Sequence, residues 1–149
     1  MKTTGTGAGR ERDPTAPPRW LRAWAPPLLW SVIIFALSAI PGNQFPPMPG
    51  WWSADKFVHG AIYAVLGALS WRALRATWAR GHGTGMQIIA AVAVTGLYGI
   101  TDELHQAFTP MRSPDPFDVI ADAVGGLLGA LVCVAILARR RAKSASDCR

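Results

Sequence analysis

Charge is what this chain is short of. Only 16% of its 149 residues are Asp, Glu, Lys or Arg, against about a quarter in an ordinary soluble domain. The charges it has stand in blocks between long apolar stretches, a distribution that gives soluble helices no polar face to turn to water. Cysteine is scarce as well. Cys133 lies in an apolar run and Cys148 in a basic one, and neither sits at a spacing that makes a disulfide framework or a zinc module. There is no phosphate loop, no nucleophile elbow and no zinc-protease histidine pairing. These absences exclude most familiar soluble enzyme classes, and the length allows one domain.

What is present is hydrophobic: half of the residues are apolar. Residues 1–19, rich in Gly, Thr, Pro and Arg, read as a disordered basic tail. Four apolar stretches follow, at 20–40, 57–74, 86–100 and 117–138. A spanning helix needs about 20 mainly apolar residues. The first, second and fourth reach that range, and the third reaches it when carried outward through Tyr98 to His105. The first stretch holds Pro26 and Pro27 near its start and reads as an uncleaved anchor, because Leu37-Ser38-Ala39 is a poor cleavage site. The expectation is an all-α, four-helix transmembrane bundle over 20–138, followed by a basic tail at 139–149.

Orientation follows from the basic residues, which concentrate on the cytoplasmic side of membrane proteins. With four alternating helices, every Lys and Arg of the fifteen except Lys56 and Arg112 falls on one side, together with both termini. Six of the nine acids, Asp55, Asp102, Glu103, Asp115, Asp118 and Asp122, fall on the other. Both termini are therefore expected in the cytoplasm, and the chain in the cytoplasmic membrane with the lipid bilayer as its partner. The net charge of +6 is a topology signal, and no nucleic acid partner is expected. Trp20, Trp24, Trp71 and Trp78 near the inner boundary, and Trp51 and Trp52 near the outer one, read as interfacial anchors.

This topology brings three polar stretches to the outer face. Asp55 and His59, at i and i+4, flank Lys56 at the opening of the second helix, where Ser53 or Asp55 can cap its N-terminus. Asp102, His105 and Gln106 share one face of the third, with Glu103 pointing elsewhere on the turn. Arg112 precedes Asp118 and Asp122, one turn apart in the fourth. Ionisable groups at membrane depth cost on the order of 2.5–3.5 kcal/mol and normally face the protein interior with a partner. Six acids against two cations cannot all pair. Some must take protons, metal or water, or stay solvated.

Three readings of this cluster follow. It is a structural hydrogen-bond network, a binding site for a polar envelope component with Lys56 and Arg112 as donors, or a catalytic site with Asp102 or Glu103 as base and a histidine as acid or metal ligand. Two histidines alone do not make a metal centre, so no metal and no cofactor are expected. The glycines Gly125-x-x-x-Gly129 allow close approach of helix backbones, expected mainly within the chain; the oligomeric state is left open.

Asp55-Lys56-x-x-His59, followed by Tyr63 and Leu66-Gly67, resembles the first signature of the VanZ-like membrane proteins. Tyr98-x-x-x-Asp102-Glu103-x-His105-Gln106-x-Phe108, followed by Arg112, Asp118 and Gly125, resembles the second. The resemblance covers about residues 24–138. It implies a role at the outer face of the cytoplasmic membrane, near peptidoglycan precursors, in low-level resistance to the glycopeptide teicoplanin. It also implies Asp55, Lys56, His59, Asp102, Glu103, His105, Gln106, Arg112 and Asp118 as the motif set. Two positions depart from the pattern: Asp122 stands where the family more often has Asn, and Met111 where a Gly commonly precedes the Arg.

Overall fold

The computed structural model describes residues 16–44, 51–78 and 81–147; the side chains of 51–55 fall outside the description, and with them the expectations for Trp51, Trp52, Ser53 and Asp55. Four helices account for nearly all of it: α1 (Arg19–Ser38), α2 (Trp51–Trp78), α3 (Thr84–Gln106) and α4 (Pro116–Ser146), with a 3₁₀ turn at Gly42–Gln44 after α1. No strand occurs among the described residues. Each helix is long and apolar enough to cross a membrane.

The boundaries have local causes. α1 runs on through Pro26 and Pro27, although the carbonyls of Arg22 and Ala23 lose their usual helical donors there. α4 opens on Asp115, whose side chain accepts from Phe117 N at 2.9 Å, with Pro116 in the first turn; an Asp cap followed by Pro is a strong start signal. At its other end α4 continues through the basic stretch to Ser146. At roughly 1.5 Å per residue this helix outruns a hydrocarbon core of about 30 Å, so one end projects from it.

α2 and α4 run parallel and form the central pair, with α3 and α1 antiparallel to them. α4 meets α2 through glycine. A Cβ on Gly125 would fall on the Gly60 carbonyl, one on Gly129 on the Ala64 carbonyl, and one on Gly67 on the backbone of Gly126. The Gly125-x-x-x-Gly129 pair thus packs helices within the chain, where apolar burial alone gives no preference for protein over lipid. In its middle α1 is tied on by side chains: Trp30 Nε1 donates to Ile62 O at 3.0 Å, and the Tyr98 hydroxyl donates to Ser31 O at 2.6 Å.

The interior divides along the bundle axis. Toward the basic end Trp71, Leu74, Ala91 and Ala130 are buried together; toward the middle, Ile34, Tyr63 and Leu66. Trp71 differs from its expected place as an interfacial anchor. It is 3% exposed, with the Arg75 guanidinium 5.6 Å from its ring centroid, because the last turns of α2 are enclosed by α1 and α3. Trp20 and Trp78 remain exposed. The outer surface carries large apolar side chains such as Leu29, Val32, Ile89, Leu97, Leu128 and Val132, an apolar girdle suited to lipid tails.

Candidate functional site

The polar residues gather at the end of the bundle formed by the start of α2, the end of α3 and the start of α4. His59, Asp102, Glu103, Gln106, Thr109, Asp118 and Asp122 are all buried there. The connection from α3 to α4 closes this end. Thr109 Oγ1 donates to Ser38 O at 3.3 Å, Gly42 N to Pro110 O at 3.1 Å, and Arg112 Nε to Ile40 O at 3.3 Å. The loop turns at Met111, whose φ of 59° is left-handed, a conformation that glycine adopts at less cost. Gly42 lies beneath it: a Cβ there would fall on the Met111 carbonyl.

Lys56 is the hub of the rim. Its Nζ lies 2.5 Å from Asp115 Oδ2 and 2.5 Å from Asp118 Oδ1, joining α2 to the start of α4. The hydrogen bond from Lys56, together with the cap bond from Phe117 N, holds the Asp115 carboxyl below its ordinary range. Asp115 also acts through its backbone, whose N–H donates to Glu103 Oε2 at 2.6 Å. The Asp-Pro helix start is the signal that could have pointed to it; its link to Glu103 has none, because a backbone donor carries no residue signature.

Beneath the rim lie three further carboxylates. Gln106 Nε2 donates to Asp102 Oδ2 at 3.2 Å, and His59 Nδ1 lies 3.1 Å from Asp122 Oδ1. Asp122 sits over Gly99 of α3, where a Cβ would meet its Oδ2 at 2.5 Å. The pattern is regular. Asp102, Glu103 and Asp122 each have one oxygen in a hydrogen bond, while the other, Oδ1, Oε1 and Oδ2 respectively, is buried and meets no hydrogen-bond partner among the described residues. His59, Asp102 and Glu103 each offer a ligand atom, all within 4.8 Å of one another. Tyr63 lies below His59, their ring centroids 6.4 Å apart, and its hydroxyl approaches Asp102.

The residues singled out in the sequence are divided by the fold. Lys56, His59, Asp102, Glu103, Gln106, Asp118 and Asp122 converge. His105 turns away from them and stacks on Phe35 of α1, centroids 4.2 Å apart. Glu103, expected to point elsewhere, joins Asp102. Both follow from the enclosure of the last turn of α3: α1 takes the face of His105, while α2 and α4 take the faces of Asp102 and Glu103. Arg112 stays in the loop, half-buried, and the Asp55 side chain lies outside the described residues.

The opposite end is basic. The start of α1 and the end of α2 carry Arg19, Arg22, Arg72 and Arg75, and the end of α4 carries Arg139 to Arg141 and Lys143. The cluster and the basic residues therefore occupy opposite ends of one bundle. The family model described as VanZ/LLP1 matches residues 18–138. No curated protein and no solved structure matches the chain.

Proposed function

The chain belongs to the VanZ/LLP1 family, and from that membership we propose that it sits in the cytoplasmic membrane with both termini inside and its polar cluster at the outer face. There the cluster binds or shields a polar component of the cell envelope, such as a peptidoglycan precursor, and so lowers sensitivity to glycopeptides such as teicoplanin. The observation that carries this reading is the segregation of charge along the bundle. The basic residues collect at one end, in keeping with a cytoplasmic side. The part-exposed Lys56 and the half-buried Arg112 stand above buried carboxylates at the other. Lys56 is held between two carboxylates and Arg112 on a backbone carbonyl, so neither donor has to be ordered when a ligand arrives, which favours binding.

The test is teicoplanin susceptibility of a sensitive Gram-positive host expressing wild type, Arg112→Ala, Glu103→Gln or empty vector at matched membrane abundance. Protection by the wild type that falls at Arg112→Ala supports the binding reading. Equal susceptibility in all four removes it. Orientation is read separately with reporter fusions near Phe108 and at the C-terminus, where opposite signals are expected.

A second reading, a membrane-embedded enzyme acting on a lipid-linked precursor, is favoured by one observation: a histidine and two carboxylates lie within 4.8 Å of one another, the furniture of general acid–base chemistry. Turnover of a lipid-linked precursor by the purified chain, abolished in Glu103→Gln, would establish it.

A further inference from the structure

Three buried carboxyl groups close together in a membrane protein need protons, water or a cation, and Lys56 is not the cation for all of them. Its Nζ is engaged by Asp115 and Asp118 at the rim. Asp102, Glu103 and Asp122 lie deeper, at 4%, 7% and 0% exposure, and each keeps one oxygen without a hydrogen-bond partner among the described residues. A buried acceptor left unsatisfied is costly, and more so when it carries charge. Three such oxygens lie together at one end of the bundle.

We infer that His59, Asp102 and Glu103 form a binding site for one divalent first-row transition ion. Their ligand atoms already lie within 4.8 Å of one another, and they come from the start of α2 and the last turn of α3, two elements fixed by helix packing. One imidazole with two carboxylates suits ions between the hard and the borderline class, Mn²⁺, Fe²⁺ or Zn²⁺. A divalent ion would neutralise the two carboxylates and engage their orphaned oxygens Asp102 Oδ1 and Glu103 Oε1.

Each of the three side chains is held from behind by a further group. Asp122 Oδ1 lies 3.1 Å from His59 Nδ1, so the carboxylate fixes the ring, as partners of metal-binding histidines usually do. Gln106 holds the other oxygen of Asp102 at 3.2 Å, and the Asp115 N–H holds the other oxygen of Glu103 at 2.6 Å. Asp102 and Glu103 are thus each held through one oxygen, while the other meets no hydrogen-bond partner among the described residues. The sequence alone assigned no metal, because His59 and the Asp102-Glu103 pair are more than forty residues apart and the nearer histidine, His105, stacks on Phe35 of α1 instead.

The inference stands independently of the envelope reading and is tested without it. The full chain, purified in detergent and stripped with chelator, is titrated separately with Mn²⁺, followed by loss of the free-ion resonance, and with Zn²⁺, followed by metal analysis after desalting. Saturable binding of one ion per chain is expected. Glu103→Gln and Asp102→Asn should weaken it at least about tenfold, and Asp122→Asn about 10- to 100-fold through the ring it orients. His82→Ala, at the opposite end of the bundle, should bind as the wild type does. Variants are compared only where they elute as the wild type does, and the wild-type titration decides by itself if none does. Absence of saturable binding for both ions, or equal binding by wild type and Glu103→Gln, overturns the site.

Discussion

The two ends of this bundle are held together in different ways. Toward the basic end the contacts are apolar and close: Trp71, Leu74, Ala91 and Ala130 pack together, and Gly129 lets α4 rest on the Ala64 backbone. Toward the other end the helices are joined by Lys56, His59 and five carboxylates, with the connecting loop drawn over them. Lipid tails are as apolar as the helix surfaces, so the first end depends on shape. The second depends on pairing, because no water is present at depth to satisfy what protein does not. Damage to the first should appear as lost protein, and damage to the second as altered function in protein that still folds.

The sharpest way to break the comparison is to fill the glycine contact. A Cβ on Gly129 meets backbone, which cannot turn aside as a side chain can. Overpacking costs about 1–3 kcal/mol where neighbours can shift, and more where they cannot. Gly129→Val should therefore remove most folded protein from the membrane fraction, while Gly96→Ala, whose nearest neighbour is the Ala123 methyl at 3.9 Å, should leave abundance unchanged. Equal loss in both would mean that α4 does not lie on α2 at this register.

Next in size is Lys56→Met, which leaves Asp118 buried without its cation. The cost of stranding such a group is about 1–3 kcal/mol, read as a lower midpoint of denaturing-detergent unfolding, and Lys56→Arg should recover part of it. Tyr98→Phe follows at about 1 kcal/mol, because it removes only the 2.6 Å bond to Ser31 O that ties α1 to α3; α1 should become more accessible to proteolysis while the α2–α4 pair is unaffected. A gain is expected at Met111→Gly. Its φ of 59° costs an ordinary residue about 1 kcal/mol, which the larger chain entropy of glycine partly offsets. The unfolding midpoint should rise slightly.

The two ends were also unequally legible in the sequence. Four hydrophobic stretches were enough to specify four spans, since length and apolarity are local properties. The convergence of Lys56, His59 and the acids followed from alternation of the helices. Direction around each helix did not follow. Helical spacing grouped His105 with Asp102 and set Glu103 aside, whereas the fold turns His105 onto Phe35 and brings Glu103 inward. Which neighbour meets which face of α3 depends on how the other helices surround it, and a single helix's periodicity does not carry that information. Trp71 was misplaced for the same reason: an aromatic near a boundary is an anchor only if the helix exposes it.

The smallest expected effect concerns pH, and it separates rim from interior. Asp115 is held below its ordinary value of 3.8, chiefly by its hydrogen bond from Lys56 and also by the cap bond to Phe117 N. A carboxyl with a depressed folded-state pKa favours the folded state above its unfolded value, and that contribution is lost as the pH falls through the folded one. Stability from this group is therefore constant from neutral pH down to about 4 and declines only below it. The decline should be shallow, because Asp115 is at the rim with a side chain 26% exposed, where water and salt weaken the pair. Comparison of wild type with Asp115→Asn isolates it. The difference in unfolding midpoint between the two proteins should be flat between pH 7 and pH 5, and should shrink toward zero as the pH is lowered below 4. A difference that instead shrank between pH 7 and pH 5 would couple Asp115 to a group below the rim, His59 or one of the buried acids, and the division between a salt-bridged rim and a separately compensated interior would have to be redrawn.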